Sequence, residues 1–347
     1  MNGAADEIHR SVLAFGGERV SRPDTGAGWP ALVADIGGSN ARFGWLADAT
    51  SRPSHVQALL VADHAGPAEA VLAYLDGLRG LTGLAAPRPV RMAMAVATAV
   101  GGETLELTNS HWRLTPAQLC SELGLRELLL LNDFEALALA LPGLRPTQLR
   151  CHGAAPDPRG TLAVIGPGTG LGVAGLLQLG SRWVPLPGEG GHATLAPADD
   201  FESALLAQAR REFTHVSAER LLSGIGLPLL HRCVAAVLGQ PAEALSAEQI
   251  VQRGLAGQDA VAGRTVDQFC ALLGSFAGSV ALTLGARGGV YIGGGIVPRL
   301  GDRFFASAFR ERFEAKGRFQ AYLAQIPSAL ITDTLVALDG AAQALRQ

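Results

Sequence analysis

Short apolar runs that end in glycine recur along the chain. Residues 31–34 (Ala-Leu-Val-Ala) lead into Asp35-Ile-Gly-Gly-Ser-Asn40, and residues 41–46 continue the apolar pattern, which predicts a β-hairpin turning at Gly37-Gly38. Residues 89–100 and 128–131 predict buried strands. Ahead of both, Ala70, Leu72, Leu75 and Leu78 fall at helical spacing within residues 66–81. Thr115-Pro116 predicts a helix start, with Thr as N-cap and Pro at the first turn, stopped by Gly124. Asn132-Asp133 opens a further helix that ends before Pro142. After a polar, proline-rich connection at 142–159 the same grammar restarts, with a strand over 161–165, the loop Gly166-Pro-Gly-Thr-Gly-Leu-Gly172, and a hairpin through Gly180-Ser181.

Residues 201–300 read as mostly helical. Residues 269–284 place Gly274, Gly278, Ala281 and Gly285 near one face, which suits close backbone packing in a core helix better than a membrane span. A strand at Gly289-Val-Tyr-Ile292 follows, ending in Gly293-Gly-Gly295, and residues 339–345 predict a short terminal helix. The two restarts suggest duplicated lobes. They imply three parts: a loose N-terminal extension over 1–30, a smaller α/β domain over 31–143 plus 328–347, and a larger α/β domain over 144–327. The apolar patch at 12–15 is too short to read as a secretory signal.

Composition narrows the chemistry. The 347 residues are 48% hydrophobic and 17% charged, a globular balance with a net charge of -3. Lys316 is the chain's one lysine, so a P-loop and lysine-based chemistry are both excluded. The absence of a basic run argues against nucleic acid and anionic membranes as partners, which leaves a small molecule. Cys120, Cys151, Cys233 and Cys270 are widely spaced without a C-x-x-C, as expected of a chain in a reducing cytoplasm.

Three strands running into glycine clusters suggest backbone N–H cradles for anions. A literal G-x-G-x-x-G at Gly170, Gly172 and Gly175 lacks the helix that a dinucleotide site needs after it, because Trp183-Val-Pro continues as a hairpin. Asp133 follows four leucines and begins a helix, where the dipole keeps a carboxylate ionised and able to accept a hydroxyl proton; a plain N-cap role for Asn132 or Asp133 is the alternative. Glu189 and His192, three residues apart in Pro187-Gly-Glu-Gly-Gly-His192, together with Glu219, suit vicinal hydroxyls. Glu219 reads equally as a first-turn helix residue after Ser217.

Taken together these segments resemble the bacterial hexokinase-type glucokinases of the actin-like ATPase superfamily. The likeness runs from Ala31 to the C-terminus through Asp35-Ile-Gly-Gly-Ser-Asn-Ala-Arg42, Leu107-Thr-Asn-Ser-His-Trp112, Asn132-Asp-Phe134, the 166–172 loop, Leu186-Pro-Gly-Glu-Gly-Gly-His192, His215-Val-Ser-Ala-Glu-Arg220 and Gly289-Val-Tyr-Ile-Gly-Gly-Gly-Ile-Val-Pro298. Ser39 stands where the family usually has Thr, which keeps the hydroxyl. The resemblance implies an α/β, two-lobed actin-like ATPase (ribonuclease H-like) fold with a central cleft, and ATP-dependent phosphorylation of glucose at its 6-hydroxyl. It implies Asp133 as the base, with Asn132, Glu189, His192 and Glu219 on the other hydroxyls. Ala34, Asp35, Ile36, Gly37, Gly38 and Ser39 would form the first phosphate loop and Gly168, Thr169 and Gly170 the second, with Gly293, Gly294 and Gly295 beside the adenosine. Mg²⁺ would ride on the ATP phosphates, with Asp35 reaching it through water, and a homodimer is common in similar proteins. A kinase for another hexose and a non-catalytic sugar-responsive regulator are the alternatives.

Overall fold

The computed structural model describes residues 9–12, 17–21, 28–82, 88–98, 100–107 and 110–347. In chain order the first part holds β1 (His9–Val12), β2 (Glu18–Ser21), β3 (Ala31–Ile36), β4 (Asn40–Leu46), β5 (Ser54–Leu60), α1 (Pro67–Thr82), β6 (Arg91–Val96), β7 (Leu105–Glu106), β8 (Arg113–Leu114), α2 (Pro116–Glu122), β9 (Glu127–Asn132) and α3 (Asp133–Ala140). Then come β10 (Leu149–His152), β11 (Leu162–Pro167), β12 (Leu171–Leu179), β13 (Arg182–Leu186), α4 (Asp200–Ala209), α5 (Leu227–Val237), α6 (Ala247–Leu255) and α7 (Ala260–Leu284). The chain ends with β14 (Gly289–Ile292), α8 (Val297–Leu300), α9 (Asp302–Phe305), α10 (Phe309–Glu314), α11 (Gln320–Ala324), β15 (Ser328–Ile331) and α12 (Val336–Leu345).

Two compact units divide these elements: residues 1–144, 179–187 and 334–347 in one, and 145–178 and 188–333 in the other. In the first unit a seven-stranded sheet runs β1-β2-β9-β6-β3-β4-β5. Its central strands β9, β6 and β3 are parallel, and apart from Arg91, Asp35 and Asn132 all their residues are buried, the apolar run expected of strands covered on both faces. The β3–β4 hairpin turns on Gly37, whose amide donates to the Asn40 carbonyl at 2.9 Å. Gly124 takes the left-handed conformation (φ 67°) after α2. Thr115 sits at the N-cap of α2 without a side-chain cap bond; its Oγ1 lies 3.3 Å from that of Thr104 instead.

Not all of the first thirty residues form the loose extension that the sequence suggests. β2 pairs antiparallel with β9, from Glu18 opposite Leu130 to Ser21 opposite Glu127, and β1 pairs with β2. Val20 is fully buried in the core with Leu128 and Leu130. With one apolar side chain in Glu18-Arg-Val-Ser21 the strand has little pattern of its own; the open edge of β9 supplies its hydrogen bonds.

In the second unit the sheet runs β10-β15-β14-β11-β12, and β12 continues through a turn at Gly180 (φ 62°) into β13. β15 pairs parallel with β14 and antiparallel with β10. Residues 328–333 therefore belong to this unit, and the chain returns to the first at 334 rather than 328. Residues 179–187 also go to the first unit. The long helix α7 is apolar and long enough to cross a membrane, yet 83% of its apolar window is buried. A Cβ on Gly274 would lie 2.1 Å from the Phe309 carbonyl oxygen and one on Gly278 2.3 Å from that of Phe313, so both glycines exist for backbone approach.

Candidate functional site

In the first unit, parallel strands deliver the chemistry to one end of the sheet, the carboxyl end where open α/β sheets place their ligands. β3 ends at Ile36, β6 at Val96 and β9 at Asn132, and these three are register partners across the sheet. The ends of β3 and β9 are two strand spacings apart, roughly 10 Å.

The β3 end carries Asp35 and the loop to Ser39. Hairpin pairing sets Asp35 opposite Arg42, whose Nη1 donates to Asp35 Oδ2 at 3.1 Å. Burial pushes the Asp35 carboxyl above its usual range, and the adjacent guanidinium opposes that shift. Among the described residues the amides of Gly38 and Ser39 have no protein acceptor, whereas Gly37 spends its own on the turn. Ala34 and Ile36 are buried strand residues that hold the loop's root.

The β9 end carries Asn132 and Asp133. Asn132 is the N-cap of α3: its Oδ1 accepts from the Phe134 amide at 2.9 Å, and the Glu135 carboxylate accepts from the Asn132 amide at 2.9 Å. Asn132 Nδ2 donates to the Thr98 carbonyl at 3.2 Å. The cap role thus falls to Asn132. Asp133, half-buried at the first helical position, has Oδ1 3.0 Å from the Phe134 amide. Glu135 is 2% exposed, and burial pushes its carboxyl up to about 7. It fits the N-cap-x-x-Glu capping signature, which makes Asn132-x-x-Glu135 readable in the sequence.

In the second unit the β11–β12 turn, residues 166–172, is the second glycine loop. No helix opens after Gly170, Gly172 and Gly175; these residues run into strand β12, so the dinucleotide fingerprint is absent here. Gly168 turns its amide onto the Gly170 carbonyl at 2.9 Å, leaving the amides of Thr169 and Gly170 without a protein acceptor among the described residues. The loop is held from outside: Gly224 donates to the Gly168 carbonyl at 2.7 Å and Ile296 to the Pro167 carbonyl at 3.2 Å.

Residues 189–195 pair with 216–219. Glu219 donates its amide to Gly191 at 2.8 Å, Ala218 to Ala193 at 2.9 Å, and Leu195 to Val216 at 3.1 Å. Glu219 therefore lies in a turn rather than the first turn of a helix. The pairing sets the His192 Nε2 3.9 Å from Glu219 Oε1 and 4.0 Å from Glu189 Oε2, beyond hydrogen-bond range of either. Gly191 is obligatory here, since a Cβ would lie 2.0 Å from the Leu171 carbonyl oxygen. The sequence pattern singled out Glu189, His192 and Glu219, and the structure brings the three together.

β14 lies beside β11 in parallel, so its terminal Gly293-Gly-Gly295 meets the second loop: Gly293 donates to the Ile165 carbonyl at 2.8 Å. Gly294 has φ 75°, and a Cβ there would sit 2.4 Å from the Pro167 oxygen. Beyond these glycines a cavity of about 390 Å³ opens, lined by Leu227, Val251, Leu255 and Ile296 with Glu248 and Arg299 at its polar side. Thr108 and Asn109 of the 107–112 motif lie outside the described residues. Trp112 of that motif is buried, its Nε1 donating to the His64 carbonyl at 2.9 Å.

A family model described as Glucokinase matches residues 32–347. The chain is similar to the glucokinase of Aromatoleum aromaticum, 48% identical over 318 residues that cover 91% of this chain and 95% of that protein. It is similar also to the glucokinase of Neisseria meningitidis, at 44% identity over 326 residues that cover 94% and 97%. Among solved structures, a glucokinase from an Antarctic psychrotroph superposes with a TM-score of 0.82 at 37% identity, covering 91% of this chain and 98% of that one. A ROK-family glucokinase from Streptomyces griseus, solved with glucose and AMPPNP, has a TM-score of 0.58 at 19% identity over 90% and 98%, a likeness of fold.

Proposed function

The chain belongs to the glucokinase family, and on that premise we propose how its own residues carry out ATP-dependent phosphorylation of glucose on the α/β, actin-like ATPase fold. The observation that carries the assignment is the pairing of Asn132-Asp133 at the end of β9 with an N–H-lined turn two strands away at the end of β3. Asp133 accepts the proton of the 6-hydroxyl as the γ-phosphoryl group moves to that oxygen. The loose transition state of phosphoryl transfer asks for alignment and charge stabilisation more than for a strong base, so a carboxylate fixed at a helix N-terminus suffices. Asn132 holds the helix start that aims Asp133, and its remaining hydrogen-bonding capacity reaches the sugar. Glu189, His192 and Glu219 take the other hydroxyls, the two carboxylates accepting and the imidazole completing the set.

The phosphates lie on the amides of Gly38 and Ser39, aided by the Ser39 hydroxyl, and on those of Thr169 and Gly170. The adenosine lies along Gly293-Gly-Gly295, with the base in the apolar cavity lined by Leu227, Val251 and Ile296. Mg²⁺ supplies charge neutralisation on the phosphates. The residues fit an ion carried by the nucleotide rather than one caged by protein. Among the described residues no three His, Cys, Asp or Glu side chains group as ligands, and Asp35 is a single carboxylate already paired with Arg42. A contact from Asp35 through water matches that supply. Four widely spaced cysteines suit a cytoplasmic enzyme, and a homodimer is part of the same reading.

The test is product formation with ATP, Mg²⁺ and a panel of glucose, mannose and fructose. Glucose 6-phosphate forms, with the highest kcat/KM for glucose. No phosphorylated sugar from any of the three would favour a non-catalytic regulator, and a higher kcat/KM for mannose or fructose a kinase for that hexose.

A further inference from the structure

Glu219 is fixed through its backbone and through one oxygen of its carboxylate, and the other oxygen faces His192. Its backbone is fixed, with the amide on the Gly191 carbonyl at 2.8 Å and the carbonyl accepting from Ser223 Oγ at 2.7 Å. Its Oε2 accepts from the Leu171 amide, at the end of the second phosphate loop, at 2.9 Å. Its Oε1 lies 3.9 Å from His192 Nε2, on the side where Glu189 also lies. The loop has been shaped to admit this carboxylate: an added Cβ on Gly170 would lie 2.6 Å from Glu219 Oε2. Gly168, two residues earlier in the same turn, has nothing within 4 Å of its would-be Cβ.

We infer that Glu219 is the link between the two substrates, a sugar contact through one carboxylate oxygen and the positioning residue of the phosphate loop through the other, with Gly170 conserving the space that keeps the link closed. The inference rests on the reading of Glu189, His192 and Glu219 as sugar contacts. Its physical content is a shared group with little freedom. A carboxylate whose backbone is pinned cannot move to suit a sugar hydroxyl without altering its bond to Leu171, and a displaced loop must in turn displace the carboxylate. Sugar affinity and nucleotide affinity are then coupled, and the coupling is reciprocal in binding free energy.

The two glycines separate this link from a general disturbance of the loop. Calorimetry on the whole chain measures glucose binding without nucleotide, and AMPPNP binding with Mg²⁺ in the presence and absence of glucose. In the unmodified protein glucose tightens AMPPNP. Gly170→Ala pushes the flexible end of Glu219 aside while leaving the backbone intact. It weakens glucose about tenfold or more, the scale of a lost charged hydrogen bond, although the residue lies on the phosphate side. It also brings the effect of glucose on AMPPNP close to none. Gly168→Ala obstructs phosphate but leaves glucose affinity without nucleotide unchanged. Unchanged glucose binding in Gly170→Ala, or an equal loss in Gly168→Ala, overturns the link. Glu219→Asp, one methylene short of spanning both partners, serves if Gly170→Ala does not fold: it weakens both ligands, and unchanged AMPPNP affinity overturns the link. Unchanged glucose affinity in Glu219→Asp shows instead that Glu219 is no sugar contact, which removes the underlying reading itself.

Discussion

Glu135 joins two roles that physical chemistry usually separates. It closes the capping box that fixes Asn132 and hence the start of α3, and it does so as a carboxyl that is 2% exposed. Burial raises its pKa from 4.5 to about 7, so the folded protein holds the proton more tightly than the unfolded chain. For a raised carboxyl the stabilisation is fully present below about pH 4.5 and is lost as pH rises through about 7, a total of about 3 kcal/mol at most. Glu135→Gln keeps an acceptor for the Asn132 amide and removes the titration. The stability of the unmodified protein relative to this variant, from urea unfolding, therefore falls between pH 5 and 7.5 and is flat above; a difference independent of pH would refute the assignment. His152, whose pKa burial pushes down to about 4, works in the opposite direction but is common to both proteins and cancels.

At the scale of elements, α3 is held from behind by α12, and the contact depends on one glycine. A Cβ on Gly340 would lie 1.7 Å from the Ala136 carbonyl oxygen, a backbone atom that cannot step aside. Gly340→Ala forces the two helices apart and costs roughly 1–3 kcal/mol by overpacking. Because α3 begins at Asp133, we expect a lower Tm together with a loss in kcat larger than any change in KM; a variant with unaltered Tm and kcat contradicts this packing. Much of this level was readable in advance. The β3–β4 hairpin, α1, α3, the glycine loop before β12 and the core helix α7 all carry strong periodicity or turn signals, and the structure has each of them. What escaped reading was tertiary in origin. β2 owes its strand conformation to the open edge of β9, β15 owes its place to β14 and β10, and Arg42 faces Asp35 through hairpin register rather than through any local signal. Glu135 was legible, since the capping spacing is visible in Asn132-x-x-Glu135, whereas the bond from Leu171 to Glu219 spans 48 positions and no local rule points to it.

For the molecule as a whole the composition sets the strategy. On the function proposed above for this chain, which has one lysine in 347 residues, phosphate charge would fall to backbone amides and to an ion brought by the nucleotide. Lys316 is half-buried in the second unit, near Glu202 and Arg312, and a Cβ on Gly278 would lie 3.1 Å from its Cε. It packs against the core helix and lies outside the glycine loops. Lys316→Arg is expected to leave kcat/KM for ATP and for glucose within about threefold, as for a substitution away from the transition state, and a severe loss would show that a side-chain cation does serve the phosphates.

The most direct test of the central claim is Asp133→Asn, read in two ways on the same preparation. If Asp133 is the base, glucose binding measured by calorimetry persists while kcat drops on the order of 10³-fold or more, because position survives and proton acceptance does not. Turnover near that of the unmodified enzyme, with glucose bound equally well, would contradict the role assigned to Asp133 and with it the mechanism.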